Sequence, residues 1–153
     1  MGAPRGATIE DLQAVVAAIE EFWGERDMAF LHQALYVHEF GDTALVLDDG
    51  AGRVLAYLLG FVTPARVGYV HVVAVRSEER GRGLARALYE EFESLVRERG
   101  AVALKAITSP SNDGSIAFHR ALGFSVSEVP CYSVSGESRV LLHRDLSAPR
   151  SAL

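Results

Sequence analysis

Cysteine is nearly absent from this chain. The lone Cys131 among 153 residues excludes an internal disulfide, and no C-x-x-C or His/Cys cluster marks a metal site. Long apolar runs are missing as well. No stretch approaches the ~20 residues that a membrane-spanning helix needs, so no membrane partner is expected. The opening "MGAPRGATIEDL" lacks the apolar run of a signal peptide, and Gly6 stands where a myristoylation site has Ser or Thr. Positive charge is in deficit, with 15 Lys and Arg against 20 Asp and Glu and a net charge of −5. That balance argues against a nucleic-acid partner, so an anionic ligand has to be met by a local basic patch. There is no Gly-Lys-Ser/Thr of a Walker loop, no repeat, no low-complexity run and no dividing linker. What is present, 49% apolar and 23% charged residues, suits one domain with an ordinary core, expected to be cytoplasmic.

Periodicity orders the elements. Leu12, Val15, Val16, Ile19 and Phe22 fall at helical spacing until Gly24, and a second amphipathic helix is expected over 28–40. Strands "TALVLDD" and "RVLAYLLGFV" flank the turn Asp49-Gly50-Ala51-Gly52, a hairpin signal. "VGYVHVVAV" is β-branched and apolar on both faces, as a central strand is. A helix from Gly83 aligns Leu84, Leu88, Phe92, Leu95 and Val96 on one face and ends at Gly100. Strand "VALKAIT", short helix "DGSIAFHRAL" and strands "FSVSEVPCYSVS" and "SRVLLHRDL" complete the chain, with Cys131 expected as a packed thiol on a late strand. The strand–helix–strand crossover between Val67 and Thr108 makes its two strands parallel neighbours. The expectation is an α/β (α+β) domain over 8–146 with flexible ends at 1–7 and 147–153.

The segment "RSEERGRGLAR" sets Arg76, Arg80, Arg82 and Arg86 against Glu78 and Glu79 at a helix mouth. Helix N-termini carry unpaired N–H groups and a partial positive charge, and glycine lets a ligand approach that backbone, which makes a phosphate cradle. The other reading is a capped surface helix whose charges face water. A dinucleotide fingerprint fails, because Arg86 stands where its last glycine belongs.

Arg80-Gly81-Arg82-Gly83-Leu84-Ala85 resembles the pyrophosphate-binding signature Q/R-x-x-G-x-G/A of the GNAT superfamily, the acyl-CoA-dependent N-acetyltransferases. "NDGSIAFHRALGF" resembles that family's second signature, N-x-x-A/S-x-x-F-Y-x-x-x-G-F. The resemblance covers roughly 8–146 and is strongest over 69–124. It implies a mixed, twisted sheet of about seven strands flanked by four helices, with the two parallel strands splayed to admit acetyl-CoA. It also implies transfer of acetyl to a primary amine of a small molecule, or less directly of a peptide, in a ternary complex. A non-catalytic acyl-CoA-binding module is the alternative. Homodimers are common in the family.

Carried onto this chain, the resemblance places the pantetheine arm along Val73 and Val75. It places the pyrophosphate on the amides from Gly81 to Ala85, through Arg82, Gly83 and Leu84 and with Arg80 in reach. Arg82, Arg86 and Arg120 are candidates for the remaining phosphates, and Asn112 for a cofactor contact or a helix cap. Where many members have the tyrosine acid, this chain has His119, which could protonate a thiolate or merely contact the cofactor. Tyr69 and His71 fall on positions used for the base, His71 being preferred, with a hydrogen-bonded core histidine as the other reading. Tyr69, His71 and Val73 share one strand parity and are expected on one face. Trp23 and Glu25, in the loop between the first two helices, are candidates for the acceptor site, with core packing and solvated charge as the other readings.

Overall fold

The computed structural model describes residues 2–146; the flexible tail expected at 147–153, and Met1, lie outside the described residues. Seven strands form one sheet in the order β1-β2-β3-β4-β5-β7-β6, with β1 Arg5–Gly6, β2 Ala44–Asp48, β3 Val54–Val62, β4 Val67–Val75, β5 Ala103–Thr108, β6 Ser125–Val129 and β7 Arg139–Asp145. Among the described residues only β4 and β5 run parallel, joined by α4, Leu84–Glu98, as the crossover predicts. Helices α1 (Ile9–Ala17), α2 (Ile19–Trp23) and α3 (Leu35–His38) precede β2, and α5 (Asp113–Ala121) follows β5.

Two apolar clusters sandwich the sheet. Leu12, Val15 and Phe22 of the N-terminal helices pack on Val46, Tyr57, Leu59, Val72 and Ala74. On the other face Leu84, Leu88, Phe92 and Val96 of α4 pack on Leu58, Val70, Leu104 and Leu142, where Ile116 and Phe118 of α5 join them. Glu93 is buried in α4 and survives there because Arg97 at 3.0 Å and Arg144 of β7 both pair with it.

Several expectations need correction. The first helix is broken at Ala18 (φ −113°, ψ 28°), giving α1 and α2. The second shrinks to α3 after a single 3-10 turn at Ala29–Leu31. Among the described residues the flank therefore carries five α-helices where four were expected. Arg5 and Gly6, expected in a flexible end, pair with Val46 and Leu45, and the Arg5 guanidinium bridges Asp11 at 2.7 Å and Asp48 at 2.9 Å. Strand β6 stops at Val129 because Pro130 cannot donate to a ladder, and Cys131 lies exposed in the following turn with φ +53°.

The register of β3 against β4 slips between Leu59 and Gly60: Leu59 faces Val72, while Gly60 faces Val70. His71 is the extra residue of this β-bulge. Strict alternation predicts Tyr69, His71 and Val73 on one face. The bulge instead leaves Tyr69 and His71 toward the N-terminal helices and turns Val73 onto the α4 core, while Val72 packs with α1 and α2.

Candidate active site in the cleft between β4 and β5

Parallel pairing of β4 with β5 runs only from Val67–Ala103 to Val70–Ala106. Beyond that point β4 continues to Val75 and β5 to Thr108 without pairing. The strands splay, and the edge of β4 from His71 to Val75 is open to an extended ligand. The gap is a cleft of about 550 Å³, with Tyr69, Val70, His71 and Val73 on one wall and Ala106 to Ser109 on the other.

The arginine–glycine loop follows the C-terminal end of β4 and leads into α4. Gly81 (φ +80°) and Gly83 (φ +78°) hold left-handed conformations that favour glycine, and Gly83 is the N-cap of α4. Leu84, Ala85 and Arg86 open α4, so their amides have no intrahelical acceptor, and a Cβ at either glycine would meet nothing within 4 Å. This is an open cradle of unspent donors at the positive end of a 15-residue helix. The arginines divide their work. Arg80 donates to the Phe22 carbonyl at 2.8 Å, tying the loop to the end of α2. Arg82 pairs with Glu79, whereas Arg86 and Arg120 are exposed. Arg76 is buried, donates to the Val54 carbonyl at 2.6 Å, covers the Phe22 ring and pairs with Glu21. Asn112 caps α5 by accepting from the Ser115 amide at 3.1 Å and also lines the cleft.

The proposed acid–base residues fall in two groups. His71 stacks on Tyr36 at 4.2 Å between centroids. Its Nε2 lies 2.8 Å from the Leu31 carbonyl, which can only accept, so Nε2 carries the hydrogen and Nδ1 faces the Tyr36 hydroxyl at 3.4 Å. Tyr69 stacks on Phe61 at 5.4 Å, and burial together with the neighbouring Tyr132 hydroxyl holds its own hydroxyl well above the ordinary tyrosine range. His119 is 3% exposed, against Tyr89, Phe118 and Phe124. Trp23 lines the cleft, with its Nε1 donating to the Tyr57 hydroxyl at 2.8 Å and Arg26 over its ring. Glu25 is exposed and is not among the cleft-lining residues.

Several cleft residues escape sequence reasoning. Tyr89, Tyr132, Glu137 and Arg139 come from three separate segments. Only Tyr89 carried a signal, as a hydroxyl-bearing ring on the buried stripe of α4.

Three histidines here are held neutral. His32 lies 2.6 Å from the Tyr57 hydroxyl and 2.9 Å from the Met28 carbonyl. Burial pulls His32, His71 and His119 below the ordinary 6.5, against hydrogen bonds to carbonyls that act the other way. The unfolded chain therefore binds these protons first. The stability contributed is whole above about pH 6.5 and is lost as pH falls from there through the folded values. The urea midpoint is expected to fall steadily as pH is lowered from about 7.5 to about 5.5. A flat midpoint over that window would contradict neutral burial.

The comparisons with known proteins agree with this geometry. The family profile described as "Acetyltransferase (GNAT) family" matches residues 10–124. The chain belongs to the GNAT family of acetyltransferases. It is 34% identical over 90 residues to the L-2,4-diaminobutyric acid acetyltransferase of Nocardia farcinica (strain IFM 10152), a match that covers 58% of this chain and 46% of that protein. The chain thus spans about half the length of that relative. It is 29% identical over 137 residues, 80% of each chain, to the L-methionine sulfoximine/L-methionine sulfone acetyltransferase of Pseudomonas paraeruginosa (strain DSM 24068 / PA7). The crystal structure of Ard1 from Thermoplasma volcanium superposes with a TM-score of 0.79 at 21% identity, covering 94% of this chain and 96% of that one, a likeness of fold. Among the described residues no helix is long and apolar enough to cross a membrane.

Proposed function

We propose that this GNAT protein transfers the acetyl group of acetyl-CoA to the primary amine of a small, carboxylate-bearing molecule of the amino-acid type, directly within a ternary complex. The observation that carries the reading is the continuity of the unspent amides at the head of α4 with the open edge of β4. Gly81 to Ala85 suit the pyrophosphate, Val73 and Val75 lie on the edge that suits the pantetheine amides, and Arg82, Arg86 and Arg120 can swing to the outer phosphates. Bound there, acetyl-CoA supplies the thioester. The chain positions the amine, removes its extra proton and excludes water.

His71 suits the base. Its Nδ1 lone pair faces the Tyr36 hydroxyl, so a proton leaving an ammonium reaches it through that hydroxyl or a bridging water. Tyr69 and Trp23 wall the acceptor end, and Glu25 has no part in it. The acceptor class follows from charge at the mouth. Arg139 lines the cleft with its Nη1 on the Ser138 carbonyl at 2.9 Å and Glu137 at 3.8 Å, and Arg26 also lines it. This pairing of a cation and an anion complements a zwitterion, and the two curated relatives are named for amino-acid substrates.

The test is release of free thiol from acetyl-CoA with a panel of amino acids and their decarboxylated counterparts. Saturable turnover favouring the carboxylate-bearing amines is expected; tight CoA binding without turnover would sink the reading. Arg139→Gln is expected to raise KM for the best amino acid roughly tenfold, the loss of one charge-assisted hydrogen bond. The decarboxylated analogue should be nearly unaffected. Equal loss for both amines would remove Arg139 from carboxylate recognition.

A further inference from the structure

The parallel strands part at Val70 and Ala106, and the side chain that lines the cleft there from α4 is Tyr89. It is 4% exposed, and its hydroxyl lies 2.6 Å from His119 Nε2 on α5. Behind His119, Nδ1 lies 2.7 Å from the Ser115 carbonyl. A carbonyl only accepts, so Nδ1 carries the hydrogen, and Nε2 of the neutral ring accepts the Tyr89 O–H. The order of protons is thereby set: Tyr89 to His119, and His119 to Ser115. Tyr89 borders the cleft, and its oxygen keeps its lone pairs. His119 itself has no hydrogen to offer a ligand, because one ring nitrogen is spent on a carbonyl and the other on a tyrosine.

Acetyl transfer puts both the incoming nitrogen and the outgoing sulfur on one carbon. A single group beside that carbon can serve both, provided it accepts a proton and then returns one. A tyrosine alone cannot do so without becoming a phenolate, and burial here holds the Tyr89 hydroxyl far above the ordinary tyrosine range. A tyrosine backed by an imidazole acceptor avoids the phenolate altogether.

Building on the acetyl-transfer reading, we propose that Tyr89 is a catalytic residue and His119 its proton store, the two forming a shuttle that carries the proton of the attacking amine to the departing sulfur. As the N–C bond forms, Tyr89 Oη takes the proton shed by nitrogen while its own hydrogen passes to His119 Nε2. As the C–S bond breaks, the Tyr89 hydrogen goes to sulfur and Nε2 returns its proton to Oη. The chain ends as it began, with the amide and the free thiol released. His119 as imidazolium is held for that interval by the Ser115 carbonyl, with Ser115 Oγ 3.3 Å from the same nitrogen. Arg86, Glu90 and Glu93 of α4 and Arg144 of β7 line a small pocket with Tyr89, and Arg26, Glu137 and Arg139 line the cleft that Tyr89 and His119 share. The hydroxyl lost at the F-Y position of the second signature thus comes from another helix, 30 residues earlier in the chain.

The test is a double-mutant cycle on the full chain. Tyr89→Phe and His119→Phe are each expected to lower kcat roughly 100-fold, the usual worth of one positioned proton carrier, with the Kd for CoA held within about twofold. The double variant removes both partners, so it leaves no orphaned buried group. It is expected to match either single variant, whereas multiplied losses would overturn a shuttle. In unliganded protein, nitrogen NMR is expected to show the Nδ1–H tautomer of His119; the Nε2–H tautomer would overturn the proton order. The solvent-isotope dependence of kcat should be bowed for the unmutated enzyme and straight for Tyr89→Phe. Undiminished turnover in Tyr89→Phe overturns the shuttle alone, while no turnover of the unmutated protein with any amine overturns acetyl transfer and the shuttle with it.

Discussion

Gly83→Glu is expected to weaken CoA binding at least ~100-fold while the protein stays folded, a loss of about 2.7 kcal/mol or more. Gly83 has φ +78° at the N-cap of α4, and a Cβ there would meet nothing within 4 Å. The new side chain therefore has room in the free protein, and the left-handed backbone costs it about 1–2 kcal/mol. The helix terminus offsets part of that, because a carboxylate is favoured beside unpaired amides. That same preference is what destroys the site: the Glu carboxylate takes the donors meant for phosphate and repels the phosphate charge. Titration calorimetry with CoA reads the first effect, and a thermal melt reads the second. Undiminished heat from a folded Gly83→Glu protein would remove the cradle from the head of α4. Gly83→Ala, with the same backbone strain and no charge, is expected to lose far less affinity.

Features that depend on neighbouring residues in the chain were readable from the sequence. The β4–loop–α4–β5 unit announces itself because β-branched runs, two glycines and a period of 3.6 all lie within 67–108. Features that depend on distant partners were not. Nothing local says that the Arg80 guanidinium reaches the Phe22 carbonyl, 58 residues away. The pairing of His119 with Tyr89 joins two helices that meet only after β5 has been laid beside β4. The face of Val73 was misjudged for a different reason: alternation assumes an unbroken ladder, and one extra residue at His71 reverses everything after it. Ala18 escaped because alanine is the best helix former, and the break there carries no residue signal.

That extra residue needs a partner strand able to lie close, and Gly60 provides it. Gly60→Ala is expected to destabilise the fold by about 3 kcal/mol, the upper range for overpacking, which lowers Tm by roughly 6–12 °C for a chain of this size. A Cβ at Gly60 would stand 2.7 Å from the Tyr69 carbonyl oxygen and 2.7 Å from Cε1 of Phe92. Neither neighbour can yield cheaply: one is backbone of the adjacent strand, and the other is a ring of 0% exposure wedged beneath α4. The Gly60 carbonyl also accepts from Thr43 Oγ1 at 2.6 Å, which pins the strand from its other side. Gly41→Ala serves as the control, since a Cβ there meets nothing within 4 Å. Gly60→Ala/Phe92→Leu is expected to recover only part of the loss, because shortening the ring relieves one clash and leaves the carbonyl in place. A Gly60→Ala protein that melts with the unmutated one would mean that β3 and β4 are not held together at the bulge. The consequence for function follows from position. Gly60 pairs with Val70, the last residue of β4 paired to β5 and the neighbour of His71. Forcing the strands apart there shifts both the mouth of the splay and the base beside it. The stable variants recovered by screening at this position are therefore expected to lose kcat even where Tm is restored.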